Sequence, residues 1–172
     1  MLKSLMHKFI LQILFITYLN ASEPVLAILD NINSNALQEF NIGKYSFYCS
    51  AYGIISLENL LQRTKVDSAC KKSIDIFYKK NPDLRYFSNE VLHLRQRYHV
   101  SLKQNECLVY AKGELSLSEL LLKNGLAVLK PQFKEEEFIY RFEKSELEAK
   151  LKRIGLWSSG IYKSCISELM LR

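Results

Sequence analysis

The chain has 172 residues, of which 48% are hydrophobic and 24% charged, with 6 glycines and 3 prolines. This composition is that of an ordinary folded protein, and it excludes a disordered, collagen-like or low-complexity chain. The length fits one domain with a core of its own. The 24 Lys and Arg residues exceed the 18 Asp and Glu residues, for a formal net charge of +6. This excess allows an acidic partner but is too small for a protein that coats DNA.

The first residues of the chain predict a secretory signal peptide over residues 1–21. Lys3 and Lys8 open the segment, an apolar stretch follows at residues 9–19, and small or polar residues come after it. This order is typical of an export signal. The alternative is an uncleaved anchor, but the apolar stretch is only about half as long as a transmembrane helix requires. We therefore expect an exported protein, periplasmic or secreted, with no stable membrane span once the signal is removed.

The chain contains four cysteines, which are Cys49, Cys70, Cys107 and Cys165. An even number of cysteines in an exported chain predicts disulfides. Four cysteines allow three pairings, and their positions alone do not choose between them. No CxxC motif and no Cys/His cluster is present, so the sequence predicts no zinc or other metal site.

The N-terminal half predicts strands around one helix. Residues 22–43 are rich in Asn and weakly periodic, which predicts an exposed arm or a short helix. Residues 45–51 alternate in polarity and predict a strand. Residues 68–80 have apolar side chains at helical spacing and end before Asn81-Pro82, which predicts a helix. Residues 91–110 predict a β-hairpin with a polar turn.

The C-terminal half predicts helices. Ser116 and Glu119 form a capping-box pattern, and Gly125 is placed to end the short helix that this pattern opens. The longest helix is predicted over residues 135–154. Strands followed by helices indicate an α+β fold, and this many short strands favour a small barrel with the helices packed on it.

Three short motifs follow one another in the second half of the chain. They are LLLKNGLAV at residues 120–128, ELEAK at 146–150 and GLWS at 155–158. Their order and spacing resemble those of the staphylococcal nuclease, or thermonuclease-like, family, in which L-V-x-x-G-L-A-x-V, A-E-x-x-A-K and G-L-W follow one another. The resemblance implies an OB-like five-stranded β-barrel with three α-helices. It divides the chain into a signal peptide (1–21), an N-terminal arm (22–43), a thermonuclease-like domain (44–159) and a C-terminal tail (160–172).

The resemblance also implies where catalytic residues would lie. The family cuts phosphodiester bonds with a Ca²⁺ ion held by carboxylates, one Glu as general base and two Arg that stabilise the developing charge. These residues lie on an R-x-x-G-I-D-x-P-E segment, an earlier D-G-D-T and an Arg before a later strand. Residues 50–58 of this chain read SAYGIISLE. Gly53, Ile54 and Glu58 match the first pattern in register.

The other catalytic positions of the family are not matched. Ser50 stands where the first Arg belongs, Ile55 where the calcium-binding Asp belongs, and Leu57 where Pro belongs. Residues 33–49 contain no Asp, and the turn at residues 103–106 contains no Arg. Glu58 is thus the catalytic candidate, with a solvated loop carboxylate or a helix-start acid as its alternative interpretation. One carboxylate does not hold Ca²⁺ against water, because such sites need several oxygen ligands.

A second register places Val66-Asp67-Ser68 on the I-D-x step, with Arg63 nearby. It leaves Cys70 where the family has Glu, and it runs directly into the predicted helix. We therefore prefer the register that contains Glu58.

Basic and aromatic side chains alternate around the predicted hairpin. Barrels of the OB type use such mixtures to stack bases and to follow phosphates. The candidates for nucleic-acid binding are Arg85, Arg95, Arg97 and Tyr98. The alternative is that the aromatic residues lie in the core and the basic residues are ordinary surface residues.

The family resemblance implies a disulfide pairing. Cys49 and Cys107 would lie on strands that can be neighbours in the barrel, which leaves Cys70 to pair with Cys165. The second bridge would attach the tail to the body of the protein.

These observations favour an exported thermonuclease-fold protein that is catalytically inactive and acts as a binding or structural module. Its partner would be an unknown protein or a nucleic acid. The first alternative is a Ca²⁺-dependent nuclease that hydrolyses DNA or RNA, and the second is a nucleic-acid binder that does not cut. No cofactor is expected, and Ca²⁺ only if the nuclease hypothesis holds.

Overall fold

The computed structural model describes residues 23–62, 68–103 and 105–170. Arg63, Val66 and Asp67 of the second register therefore lie outside the described residues. Ser68, which follows them, is the first residue of a helix. The strands in the described part of the chain are β1 (Val25–Ser34), β2 (Leu37–Ile42), β3 (Tyr45–Ala51), β4 (Ile54–Ser56), β5 (Arg97–Lys103), β6 (Glu106–Lys112), β7 (Leu115–Ser116) and β8 (Ala127–Leu129).

Five of these strands form a closed barrel. They are hydrogen-bonded in the order β3-β2-β1-β5-β6, and β3 pairs with β6 to close the ring. The closing pair is parallel and joins Ser50 to Glu106 and Ala51 to Cys107. The other four pairings of the ring are antiparallel. The predicted α+β fold with a small five-stranded barrel is thus confirmed.

The described residues form six α-helices rather than three. They are α1 (Leu57–Gln62), α2 (Ser68–Lys80), α3 (Phe87–Val91), α4 (Leu117–Lys123), α5 (Glu136–Lys152) and α6 (Ser159–Met170). Short 3₁₀ turns at Asp83–Tyr86 and Gly155–Trp157 precede α3 and α6. The additional helices are the short α1 and α3, which carry little periodic signal, and α6 in the expected tail.

The arm expected at residues 22–43 is instead the first part of the barrel. Ala27 and Leu29 are fully buried on alternate positions of β1, and Phe40 of β2 is fully buried as well. Two irregularities in the β1–β2 register, at Leu29/Asn31 and at Ile32/Ser34, interrupt this alternation. The Asn-rich segment therefore resembles a polar linker in sequence while contributing to the core.

Two disulfides join distant parts of the chain. Cys49 of β3 is bonded to Cys107 of β6, next to the pairing that closes the barrel. Cys70 of α2 is bonded to Cys165 of α6, and Ser73 Oγ donates a hydrogen bond of 2.9 Å to Ser164 Oγ beside it. These are the two pairs that the family resemblance implies. The tail is consequently a helix attached to α2.

The local motifs of the C-terminal half form as expected. Both hydrogen bonds of the capping box between Ser116 and Glu119 are present. Gly125 has φ +63°, and a Cβ there would lie 2.4 Å from the carbonyl oxygen of Ile154. Glycine is required at this position by its left-handed conformation and by the close backbone contact. The long helix ends at Lys152, two residues before its predicted end, and Arg153 caps it with φ +53°.

Candidate functional site

Glu58 lies in the first turn of α1, directly after β4. The chain reaches this helix through Gly53, which has φ +70° and whose Cβ position lies 2.6 Å from the ring of Phe133. Ser56 and Asn59 then start the helix reciprocally: Ser56 Oγ accepts from the Asn59 amide at 3.1 Å, and Asn59 Oδ1 accepts from the Ser56 amide at 3.0 Å. This start directs Glu58 toward the turn between β1 and β2.

The carboxylate of Glu58 is held by two donors from distant parts of the chain. Its Oε1 accepts hydrogen bonds from Asn35 Nδ2 at 2.8 Å and from Tyr78 Oη at 2.7 Å. Its Oε2 is buried and has no hydrogen-bond partner in the structure. Burial raises the pKa of Glu58, and the hydrogen bonds from Tyr78 and Asn35 oppose part of that rise. Burial and the neighbouring Glu58 carboxylate also raise the pKa of Tyr78, which therefore remains a neutral donor.

Asn35 connects this carboxylate to the next two elements. Its Nδ2 also donates to the carbonyl oxygen of Leu84 at 2.8 Å, and its Oδ1 accepts from the Ser88 amide at 2.9 Å. Its own carbonyl oxygen accepts from Ser88 Oγ at 2.6 Å. These partners fix the orientation of the amide, because the flipped form would place Oδ1 against two acceptors. Asn35 thus presents N–H groups, and not oxygen, to Glu58.

A hollow of about 260 Å³ lies beside this cluster. Glu58 and Asn35 form part of its wall, with Arg85 and Tyr86 from the 3₁₀ turn and Asn89 from α3. We call it the Glu58 hollow. Of its eight described polar lining residues, four carry amide side chains, and Glu58 is the one carboxylate among them.

The structure places the mismatched positions of the family pattern away from any ligand role. Ile55 is 2% exposed and pairs with Val128 of β8. Leu57 is 1% exposed and belongs to the core. Ser50 pairs with Leu37 and Glu106 in the barrel wall. Among the residues that the structure describes, no group of three or more His, Cys, Asp or Glu side chains is arranged to hold a metal ion.

The structure leaves three of the four nucleic-acid candidates exposed and buries the fourth. Arg85 lines the Glu58 hollow. Arg97 is exposed at the start of β5, and Arg95 is exposed in the loop before it. Tyr98 is only 8% exposed, its ring packs edge-on against Phe40, and its hydroxyl accepts a hydrogen bond from the His93 amide. Its ring is therefore a core residue that cannot stack on a base, contrary to the expectation for this position.

The residues that sequence reasoning missed are Asn35 and Tyr78. They lie 23 and 20 positions from Glu58, and no local pattern connects them with it. A weak signal exists in hindsight: the segment Asn33-Ser34-Asn35 carries Asn at the spacing of the two Asp residues in the family's D-G-D-T.

Comparison with protein families finds a match over residues 92–159 to the family described as staphylococcal nuclease homologue. This segment contains β5 to β8 and the helices α4 and α5. The match and the closed five-stranded barrel together support a staphylococcal nuclease-like family. Comparison with curated proteins finds no significant match. Glu58, Asn35 and Tyr78 all precede the matched segment.

The structure also bears on the compartment of the protein. Over the described ranges, none of the helices has the length and apolar character needed to cross a membrane. Two disulfides and this finding are compatible with an exported protein.

Proposed function

We propose that this chain is an exported protein of the staphylococcal nuclease fold that does not hydrolyse phosphodiester bonds and acts as a binding module. One observation carries the proposal: the groups around Glu58 are hydrogen-bond donors. Asn35 Nδ2 and Tyr78 Oη both direct hydrogen atoms at the carboxylate. A Ca²⁺ ion would need several oxygen ligands in this place.

The accessibility of Glu58 supports the same proposal. A general base must come within hydrogen-bond reach of the water that it deprotonates. Oε1 of Glu58 already accepts two hydrogen bonds, and Oε2 is buried from solvent. Ser50 further replaces the first Arg of the family pattern, and the loss of one such charge-stabilising group typically costs about 100- to 1,000-fold in rate.

Export is supported by the signal-like residues 1–21 and by the two disulfides. Disulfides form and persist in oxidising compartments such as the periplasm and the extracellular space. We infer that the protein binds its partner in such an oxidising compartment.

Nucleic-acid binding without cutting is the second candidate, and the outer wall of the barrel favours it. Tyr48 of β3 is 62% exposed, on the same strand face as Ser46. Ser46 pairs with Asn41 of β2, Asn41 pairs with Ile28 of β1, and Ile28 pairs with Arg97 of β5. A row of paired residues thus crosses the sheet from Ser46 to Arg97. An exposed aromatic ring offers a base a face on which to stack, and Arg97 at the end of this row supplies a positive charge.

The experiment measures hydrolysis of single- and double-stranded DNA by the full-length protein, exported with its own leader and purified oxidised. Reactions contain Ca²⁺ or EDTA, and the variant Glu58→Gln is run beside the wild type. We expect no hydrolysis above the background of the buffer in any reaction. Ca²⁺-dependent hydrolysis that Glu58→Gln abolishes would contradict the proposal and establish the nuclease alternative.

Two further arms of this experiment separate the remaining candidates. Binding of labelled single-stranded DNA that weakens as salt rises, and that Tyr48→Ala lowers, would favour the nucleic-acid binder. The variant Asn35→Asp replaces the donor beside Glu58 by a carboxylate. If Ca²⁺ raises the melting temperature of this variant and not that of the wild type, the Asn35 amide is what excludes the cation.

A further inference from the structure

A second hollow, of about 440 Å³, lies on another part of the surface. It is enclosed by α3, by the β6–β7 hairpin, by the end of α4 and by the end of α5. It shares no lining residue with the Glu58 hollow. Its volume lies within the range of about 300–1,000 Å³ that small-molecule sites occupy.

The floor of this hollow is apolar. Phe87 and Leu120 are nearly buried at its base. Val91 and Leu115 are half-buried, and Ile154 is 36% exposed. An apolar body placed here would therefore cover side chains that now contact water.

The rim of the hollow is basic. Lys112, Lys123 and Lys152 line it from three different elements, β6, α4 and α5. Lys123 Nζ lies 3.1 Å from Glu148 Oε2, and Lys123 and the nearby Lys152 both help to lower the pKa of that carboxyl group. Lys112 and Lys152 are exposed. Glu90 is the carboxylate among the described lining residues. We call this feature the lysine hollow.

We propose that the lysine hollow binds a small carboxylate with an apolar body, a free medium-chain fatty acid. The carboxylate lies between Lys112 and Lys152, and the chain covers the apolar floor. Lysine suits this role because its ammonium is a mobile point charge that can follow a single anionic head. The proposal does not depend on whether the protein cuts DNA, since the two hollows share no lining residue.

The first test measures binding of hexanoate, octanoate and decanoate to the full-length oxidised protein by titration in amide NMR spectra. Burial of each further methylene is expected to strengthen binding about fourfold until the hollow is filled. The shifted signals are expected at α3, at the β6–β7 hairpin and at the end of α5. Octylammonium has the same chain with the opposite charge, and it is expected to bind much more weakly.

The second test changes the rim. The double variant Lys112→Gln/Lys152→Gln is expected to weaken octanoate binding about 2- to 30-fold, the range for two exposed charge contacts. The matched control is Lys72→Gln/Lys79→Gln on α2, which removes the same charge from exposed positions outside the hollow. This control is expected to bind octanoate like the wild type.

Three results would overturn the proposal. The first is the absence of saturable octanoate binding up to millimolar concentration. The second is an equal loss of affinity in the rim variant and in the control variant, which would indicate a nonspecific effect of net charge. The third is binding to vesicles of anionic phospholipid with none to the free fatty acids, which would assign the basic rim to a membrane surface.

Discussion

The substitution Tyr78→Phe isolates the role of the buried carboxylate. Tyr78 is 3% exposed, and its hydroxyl donates to Glu58 Oε1 at 2.7 Å. Phenylalanine keeps the ring, which packs beside Phe77 at 5.3 Å between centroids. The variant therefore removes one hydrogen bond and little packing.

The expected cost follows from the charge of the acceptor. A hydrogen bond to a charged group contributes about 1.5–3 kcal/mol to stability, whereas one between neutral groups contributes about 0.5–1.5 kcal/mol. In the variant, Glu58 Oε1 keeps the hydrogen bond from Asn35, and Oε2 has no hydrogen-bond partner. We therefore expect Tyr78→Phe to lower the free energy of unfolding by about 1.5–3 kcal/mol at pH values above the raised pKa of Glu58, where the acceptor is charged. In a chain of this length that is a fall of about 3–12 °C in melting temperature.

The effect depends on pH with a defined sign. Burial raises the pKa of Glu58, so the folded protein keeps this proton to a higher pH than the unfolded chain does. Stability is therefore lost as pH rises from the ordinary carboxyl range through the raised pKa of Glu58. The Tyr78 hydrogen bond limits that loss because it favours the charged form. The loss of unfolding free energy in Tyr78→Phe is consequently largest at pH values above the raised pKa of Glu58. At lower pH it falls toward the value of a hydrogen bond between neutral groups.

The assay is urea unfolding of the oxidised protein at several pH values. Tyr45→Phe is the control, because Tyr45 is 82% exposed and its hydroxyl is expected to contribute almost nothing. In a Glu58→Gln background, Tyr78→Phe is expected to cost only the neutral-bond value at every pH. The reasoning is refuted if Tyr78→Phe costs no more than Tyr45→Phe at neutral pH, or if its cost is the same with Glu58 and with Gln.

Two other substitutions test the fold. Gly125→Ala is expected to lower the free energy of unfolding by more than the approximately 1–2 kcal/mol of a positive φ alone, because its Cβ would lie 2.4 Å from the Ile154 carbonyl oxygen. Gly43→Ala is the control, since Gly43 has φ +62° and open space around its Cβ position. Its cost in urea unfolding is expected to stay within about 1–2 kcal/mol. The double variant Cys70→Ser/Cys165→Ser is expected to lose about 2–5 kcal/mol, since it opens a link across 95 residues, and unfolding of the wild type with and without reductant provides the comparison.

The features that were predictable from sequence are those decided by neighbouring residues. The capping box at Ser116 and Glu119 and the glycine at position 125 need only residues within a few positions of one another, so their patterns identify them. Helix α2 was predicted for the same reason, because its apolar spacing is uninterrupted. The family motifs lie in this half of the chain and indicated the barrel.

The features that were missed depend on contacts between distant residues. Strand β1 pairs with β2 on one side and with β5 on the other. Its two register irregularities interrupt the alternation of buried and exposed residues that makes a strand recognisable in a sequence. Helix α6 has small and polar residues at its start, and it is attached to α2 by the Cys70–Cys165 bond. The position of Glu58 was predictable from the family pattern, but its burial and its two donors were not.

The cluster around Glu58 gives a physical reason why this carboxylate can persist without catalysis. Through Asn35 and Tyr78 it connects the β1–β2 turn, α1 and α2, and Asn35 extends the connection to the 3₁₀ turn and α3. Removal of the carboxylate would leave two buried donors unpaired, at a cost of about 1–3 kcal/mol for each. No such cost attends Ser50 or Ile55, whose side chains fit the barrel wall and the core.

This difference decides which variant can test the chemistry. Glu58→Ala would remove the acceptor of both Asn35 and Tyr78, so a loss of any activity in that variant would not distinguish a chemical role from a disturbed fold. Glu58→Gln keeps an oxygen for these donors, removes the charge and the basicity, and replaces Oε2 by an NH₂ group. A function that depends on the carboxylate as a base must disappear in Glu58→Gln while the urea midpoint stays close to that of the wild type. A function that depends on the cluster as a structural link must survive in Glu58→Gln and fail in Glu58→Ala.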